Sequence, residues 1–130
     1  MTTQVVYPEA GAAMAAGVIA ALDAGALPAR IDLYAGATFV CSTNLTKPCG
    51  TVVGGALVLT VPTSGAIAYA SLAPTQARLY SGAGVRLFDL RARMLGATDD
   101  PADPAAVVVQ ATVVDAGALI RITAGTLAFA

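Results

Sequence analysis

Polar and apolar residues alternate most strictly along VRLFDLRARML (85–95). Phe88, Leu90, Ala92 and Met94 fall on one side, and Asp89, Arg91 and Arg93 on the other. That period of two marks a strand with one wetted face. ARIDLYAG (29–36) follows the same rule, with Ile31 and Leu33 opposed to Arg30, Asp32 and Tyr34. Further strands are predicted at ALVLTV (56–61), AIAYASL (66–72), QARLY (76–80), AAVVVQATVV (105–114), ALIRIT (118–123) and TLAFA (126–130). Turn residues separate them at Pro62-Thr63-Ser64-Gly65, at SGAG (81–84), at Asp115-Ala116-Gly117 and at Ala124-Gly125.

The amino-terminal part has another period. TTQVVY (2–7) reads as a short extended start, and Pro8 and Glu9 suit a first helical turn. A helix is predicted over about 9–24, with Met14, Val18 and Leu22 at i, i+4 and i+8 as its apolar stripe, flanked by Ala15 and Ile19. Gly25 then stands where a left-handed cap would end it. About eight strands without intervening helices favour a mainly β domain over 1–130, an antiparallel β-sandwich or jelly roll with one N-terminal helix.

Composition narrows the function. Apolar residues make up 57% of the 130 and charged residues 12%, with a net charge of −1. Mean hydropathy is +0.75. A chain this apolar offsets its ordering entropy by burial and is not disordered. Seven basic against eight acidic residues leave no excess to neutralise phosphates, so nucleic acid is not an expected partner. The stretch from Pro48 to Ala77 carries no charge, but three prolines and several glycines would break a spanning helix. A signal peptide would begin with basic residues, and the first here is Arg30. No membrane association is expected. The uncharged stretch reads equally as an inner sheet or as a surface buried against neighbouring subunits.

Candidate chemistry is sparse. There is no histidine, which removes histidine-based triads and most zinc and iron sites. No cofactor is implied. Cys41 and Cys49, in CSTNLTKPC, are spaced so that they could close a disulfide across an irregular loop or remain two free buried thiols. Asp99, Asp100 and Asp103 form the densest charge cluster, but they lack the spacing of an EF-hand loop and lie between prolines, as a solvated turn would. Arg86, Arg91 and Arg93, with Arg78, make the most basic stretch and are the candidate contact for an acidic partner surface. The chain reads as non-enzymatic.

The order of segments has a parallel. ALDAG (21–25) ends the helix and leads into ARIDLYAG (29–36). ARLYSGAGVRLFDLRARMLGA (77–97) and the closing ALIRITAGTLAFA (118–130) follow. This arrangement resembles small proteins encoded in the virion structural regions of tailed bacteriophages and prophages, some of them jelly-roll cement or decoration proteins. The resemblance implies a homo-oligomer, dimer or trimer, that binds between major capsid subunits on the capsid surface after assembly in the host cytoplasm. Two segments depart from it: residues 37–54 read as an insertion, and DDPADP interrupts the later strands. A second expectation is a tail-fibre or spike module that recognises surface carbohydrate. Such a module would expose aromatics, for which Tyr7, Tyr34, Tyr69 and Tyr80 are the tyrosines, and the low aromatic content (5%) favours the cement reading.

Overall fold

The structure is a computed structural model that describes residues 7–61, 65–94, 106–110 and 116–128. Among the described residues, one helix, α1 (Pro8–Leu22), precedes nine strands: β1 (Arg30–Ala35), β2 (Thr38–Asn44), β3 (Gly50–Val53), β4 (Ala56–Leu59), β5 (Ala66–Ile67), β6 (Gln76–Tyr80), β7 (Arg86–Met94), β8 (Ala106–Gln110) and β9 (Leu119–Ala128). Hydrogen bonds link them in the order β2-β1-β6-β7-β8-β9-β4-β3, with β5 pairing separately along β9. The protein is thus mainly β with an N-terminal helix. The sheet is mixed and not wholly antiparallel, because β8 runs parallel to β7, with Arg91 opposite Ala106 and Met94 opposite Val109. A parallel pair needs a crossover and not a hairpin. Here the crossover falls in 95–105, outside the described residues, together with Asp99, Asp100 and Asp103.

The sheet curls on itself. β5, off that path beside β9, packs against β2, and the Tyr69 N–H donates to the Val40 carbonyl at 2.7 Å. Inside the curl lie Ile31, Leu33, Val40, Leu57, Leu79, Val107, Val109 and Ile120, each at most 2% exposed. The alternation read in β7 is the one observed, with Leu90 and Ala92 buried and Asp89 and Arg91 exposed; in β1, Ile31 and Leu33 are buried as expected, but Asp32 on the opposite side is buried too.

α1 packs on β3 and β4. Its buried positions are Gly11, Ala15 and Leu22, with Val18 and Ile19 half-buried, so the contact face follows i, i+4, i+7 and i+11. Met14 lies off that face and is 44% exposed. Gly11 and Ala15 take the buried positions in its place. The helix ends two residues earlier than expected, at Leu22, where the Asp23 N–H still reaches the Ile19 carbonyl at 2.9 Å.

Residues 37–54 supply β2 and β3. Gly36 and Ala37 turn β1 into β2, and Gly54 and Gly55 turn β3 into β4, each with its first glycine at positive φ (+60° and +59°). A glycine there suits the tight two-residue turns whose twist matches the flanking strands. The expected turn at Ala124-Gly125 is instead continuous strand: β9 runs through it, with a register shift between Val108 and Val109 opposite. Gly125 serves packing there, since a Cβ would stand 3.0 Å from Leu59 Cδ1. Conversely, only Ala66–Ile67 of 66–72 is strand. Beyond it the Ala68 N–H bonds the Ala118 carbonyl and the Tyr69 N–H turns to Val40, drawing the chain out of the ladder.

One backbone contact fixes the helix end to the sheet. The turn after α1 and the SGAG turn between β6 and β7 pack main chain on main chain. The Gly82 N–H donates to the Leu22 carbonyl at 2.9 Å, and a Cβ on Gly82 would collide with the Leu27 carbonyl and stand 2.7 Å from that of Ala24. Ser81 orders the same turn, its Oγ accepting the N–H groups of Ala83 (3.3 Å) and Val85 (3.2 Å). Gly82→Ala is therefore expected to cost at least about 2 kcal/mol, because backbone cannot repack as side chains do. Gly17→Ala, mid-helix with nothing within 4 Å of the new methyl, is expected to gain about 0.5–1 kcal/mol. Urea denaturation of the two variants measures both, and a Gly82→Ala midpoint equal to wild type would refute the close approach.

Candidate functional site

The outer face of β2-β1-β6-β7 gathers six of the chain's fifteen charged residues: Arg30, Asp32, Arg78, Arg86, Asp89 and Arg91. β1 presents Arg30, Asp32 and Tyr34, and β6 presents Gln76, Arg78 and Tyr80, two pentads with polar residues at the first, third and fifth positions. Their antiparallel register sets Arg30 opposite Tyr80, Asp32 opposite Arg78 and Tyr34 opposite Gln76. Each arginine consequently lies over the tyrosine of the other strand: Arg30 is 4.3 Å from the Tyr80 ring centre and Arg78 is 3.8 Å from that of Tyr34. Guanidinium stacking of this kind contributes about 0.5–1 kcal/mol at an exposed position and holds both groups in one orientation.

Asp32 anchors the face. It is 7% exposed, accepts from Ser42 Oγ at 2.7 Å across the β1–β2 pair, and pairs with Arg30 Nε at 3.2 Å. A buried carboxylate needs such partners to offset its lost hydration. On β7, Asp89 stands opposite Arg78 and accepts from Arg86 Nε at 2.7 Å and Nη2 at 2.6 Å. The hydrogen bonds and charge of Arg86 hold the Asp89 carboxyl below its usual range. Arg91 is exposed on the same face, opposite Gln76. Arg93 continues the β7 backbone two residues on, and its side chain lies outside the described residues. The three arginines expected to form a contact thus share one strand, but the stacked elements beside them, Arg30, Tyr34, Arg78 and Tyr80, are what make that strand part of a surface. The polar positions of RIDLY and QARLY were the available signal, and no single-strand reading could pair them.

The aromatic residues continue from one edge of this face. Phe39 meets Tyr34 edge-on (centroids 5.6 Å, 73°) and stacks on Tyr69 (5.8 Å, 30°). The uncharged Pro48–Ala77 stretch divides between interior and exterior. Leu57, Leu59 and Ala68 are core, while Val52, Val53, Val58, Ile67, Tyr69 and Leu72 are exposed.

Cys41 and Cys49 are free thiols, not a bridged pair, and both are fully buried. Each has a carboxylate of its own nearby. Burial, reinforced by the charge of Asp32, pushes the Cys41 thiol up to about 11. Burial, then the charge of Asp23 and a hydrogen bond to it, pushes Cys49 up to about 12. Asp23 also accepts the Cys49 N–H at 3.1 Å, tying the end of α1 to the start of β3. Thiols so placed stay protonated near neutrality and are poor nucleophiles. Among the described residues no group of three His, Cys, Asp or Glu could hold a metal ion, and no helix is long and apolar enough to cross a membrane.

No protein-family model, no curated protein and no solved structure matches this chain.

The thiols generate a pH prediction. Their folded pKa values lie above the ordinary value of 9.0, so the stability that they contribute is complete below about pH 9 and is lost as pH rises toward 11 and 12. The urea midpoint is expected to fall between about pH 8 and about pH 10.5, and less steeply in Cys49→Ala than in wild type. The melting temperature at neutral pH is expected to be indifferent to dithiothreitol. A reductant-sensitive melt would restore the disulfide.

Proposed function

We propose that this chain is a non-enzymatic structural protein of a phage virion, a capsid cement or decoration subunit that docks on major capsid subunits through the outer face of β2-β1-β6-β7. The observation that carries this reading is the concentration of Arg30, Arg78, Arg86 and Arg91, four of the seven basic residues, on one ordered sheet face with Tyr34 and Tyr80. Arginine and tyrosine are the residues enriched where protein interfaces hold their binding energy. Stacking has already removed much of their side-chain freedom, so docking costs less entropy. Two aspartates, Asp32 and Asp89, leave the face with an arginine excess suited to an acidic partner surface.

The resemblance in segment order supplies the virion setting, and the apolar exterior supports it. Val52, Val53 and Val58 give the β3–β4 hairpin an uncharged surface that suits the contact between copies in a dimer or trimer. A subunit with one charged and one apolar face can clamp two kinds of neighbour.

Rate-zonal sedimentation of native source material tests the proposal. The chain is expected in fixed stoichiometry with a megadalton particle, and recovery at the top of the gradient as a free small oligomer would overturn the virion role. Arg78→Glu combined with Arg91→Glu is expected to leave the melting temperature within a few degrees of wild type while reducing particle occupancy at least tenfold. Occupancy of wild type is expected to fall as salt is raised, since contacts at an exposed face are screened. Undiminished occupancy in the double variant would remove this face from the contact.

A further inference from the structure

The seam where the sheet curls back on itself is bonded at one end and open at the other. Tyr69 N–H and the Val40 carbonyl join β5 to β2. Beside that bond lies a groove of about 340 Å³, lined by Ser42, Thr43, Asn44, Ala66, Ile67 and Tyr69. Its volume is at the small end of the roughly 300–1,000 Å³ typical of ligand sites. The described residues that line it carry no charge, so the electrostatics favour a neutral ligand over a phosphate or a carboxylate. Its two sides also differ in chemistry. Ile67 and the Tyr69 ring, 53% and 71% exposed, offer an apolar wall. Asn44, exposed at the end of β2, offers an amide that can both donate and accept.

Tyr69 is exposed yet supported. Phe39 stacks on its ring and is itself braced edge-on by Tyr34, so the wall is ordered before any ligand arrives. A ligand matched to such a groove is compact and neutral, with one apolar face and a rim of hydroxyls.

We propose that this groove binds a pyranose of a neutral glycan, the C–H face of the sugar ring lying on Tyr69 and its hydroxyls exchanging hydrogen bonds with Asn44. The site adjoins the arginine face at β2, where Ser42 bonds Asp32 and Asn44 stands opposite Arg30, and adds a binding activity to the docking role.

Saturation-transfer difference NMR on the full chain tests this, with the methyl pyranosides of glucose, galactose, mannose and N-acetylglucosamine as probes. Saturation is expected to reach the ring C–H protons of at least one of them. Tyr69→Ala is expected to weaken that binding at least tenfold, Tyr69→Phe to preserve it, and Asn44→Ala to weaken it several-fold. Both side chains are exposed, so these variants should fold, and an unchanged melting curve checks that they do. Binding should persist in Arg78→Glu with Arg91→Glu, which separates this site from the docking face. Absence of transfer to all four probes, or transfer undiminished in Tyr69→Ala, would overturn the proposal. So would sedimentation showing that Tyr69→Ala dissociates an oligomer, since the groove would then be a contact between copies.

Discussion

Closure of the sheet at the β2–β5 seam is the constraint on which the remaining features depend. Among the described residues the core has no fully buried aromatic ring: beside its leucines, isoleucines and valines, alanines supply five members and two buried thiols complete the same cluster. Small residues bury little area each, so a flat sheet of this composition would leave its inner face under-covered. Wrapping the strands around the core supplies the missing coverage from the protein itself, and α1 covers β3 and β4, the last strands of the path. The Tyr69–Val40 bond and the packing of β5 on β2 hold the sheet in that curl. The same closure leaves the groove beside the bond and brings Tyr69 onto Phe39.

The outer face depends on register. β1 and β6 pair antiparallel without slippage from Arg30 to Tyr34, and it is this alignment that lays Arg30 on Tyr80 and Arg78 on Tyr34. A one-residue shift would send Arg30, Asp32 and Arg78 toward the core, which this apolar interior could not solvate. Register and core burial therefore enforce one another. In a chain with 12% charged residues, that coupling decides where a polar face can be, and the proposed docking role follows from its position.

Two aspartates serve as internal ties as much as surface charges. Asp32 links β1 to Ser42 on β2, and Asp23 links the end of α1 to Cys49 at β3. Each also lies beside a thiol whose proton it helps to retain. These contacts join segments that the sequence separates by a turn or by more than twenty residues. They explain why the region around CSTNLTKPC is ordered structure and not a tolerated loop. Lys47 strengthens the same junction, its Nζ donating to the Gly25 carbonyl at 2.7 Å.

By itself the sequence determined what depends on local periodicity and local turn chemistry: the early helix, the dry side of β1, the wet and dry sides of β7, the SGAG turn, and a mainly β fold. It also contained both RIDLY and QARLY, hence every side chain of the stacked face described here on β1 and β6. What it could not decide was everything set by pairing between distant segments. The parallel β7–β8 pair, the passage of β9 through Ala124-Gly125, the incorporation of 37–54 as β2 and β3, and the free state of Cys41 and Cys49 all belong to that class. So does the exchange of Met14 for Gly11 on the buried side of α1, since which helical stripe is buried depends on the surface it meets. A residue's preference is read from its neighbours in the chain, whereas its partner across a sheet is chosen by the burial of the whole core, and that exists only once the sheet has curled.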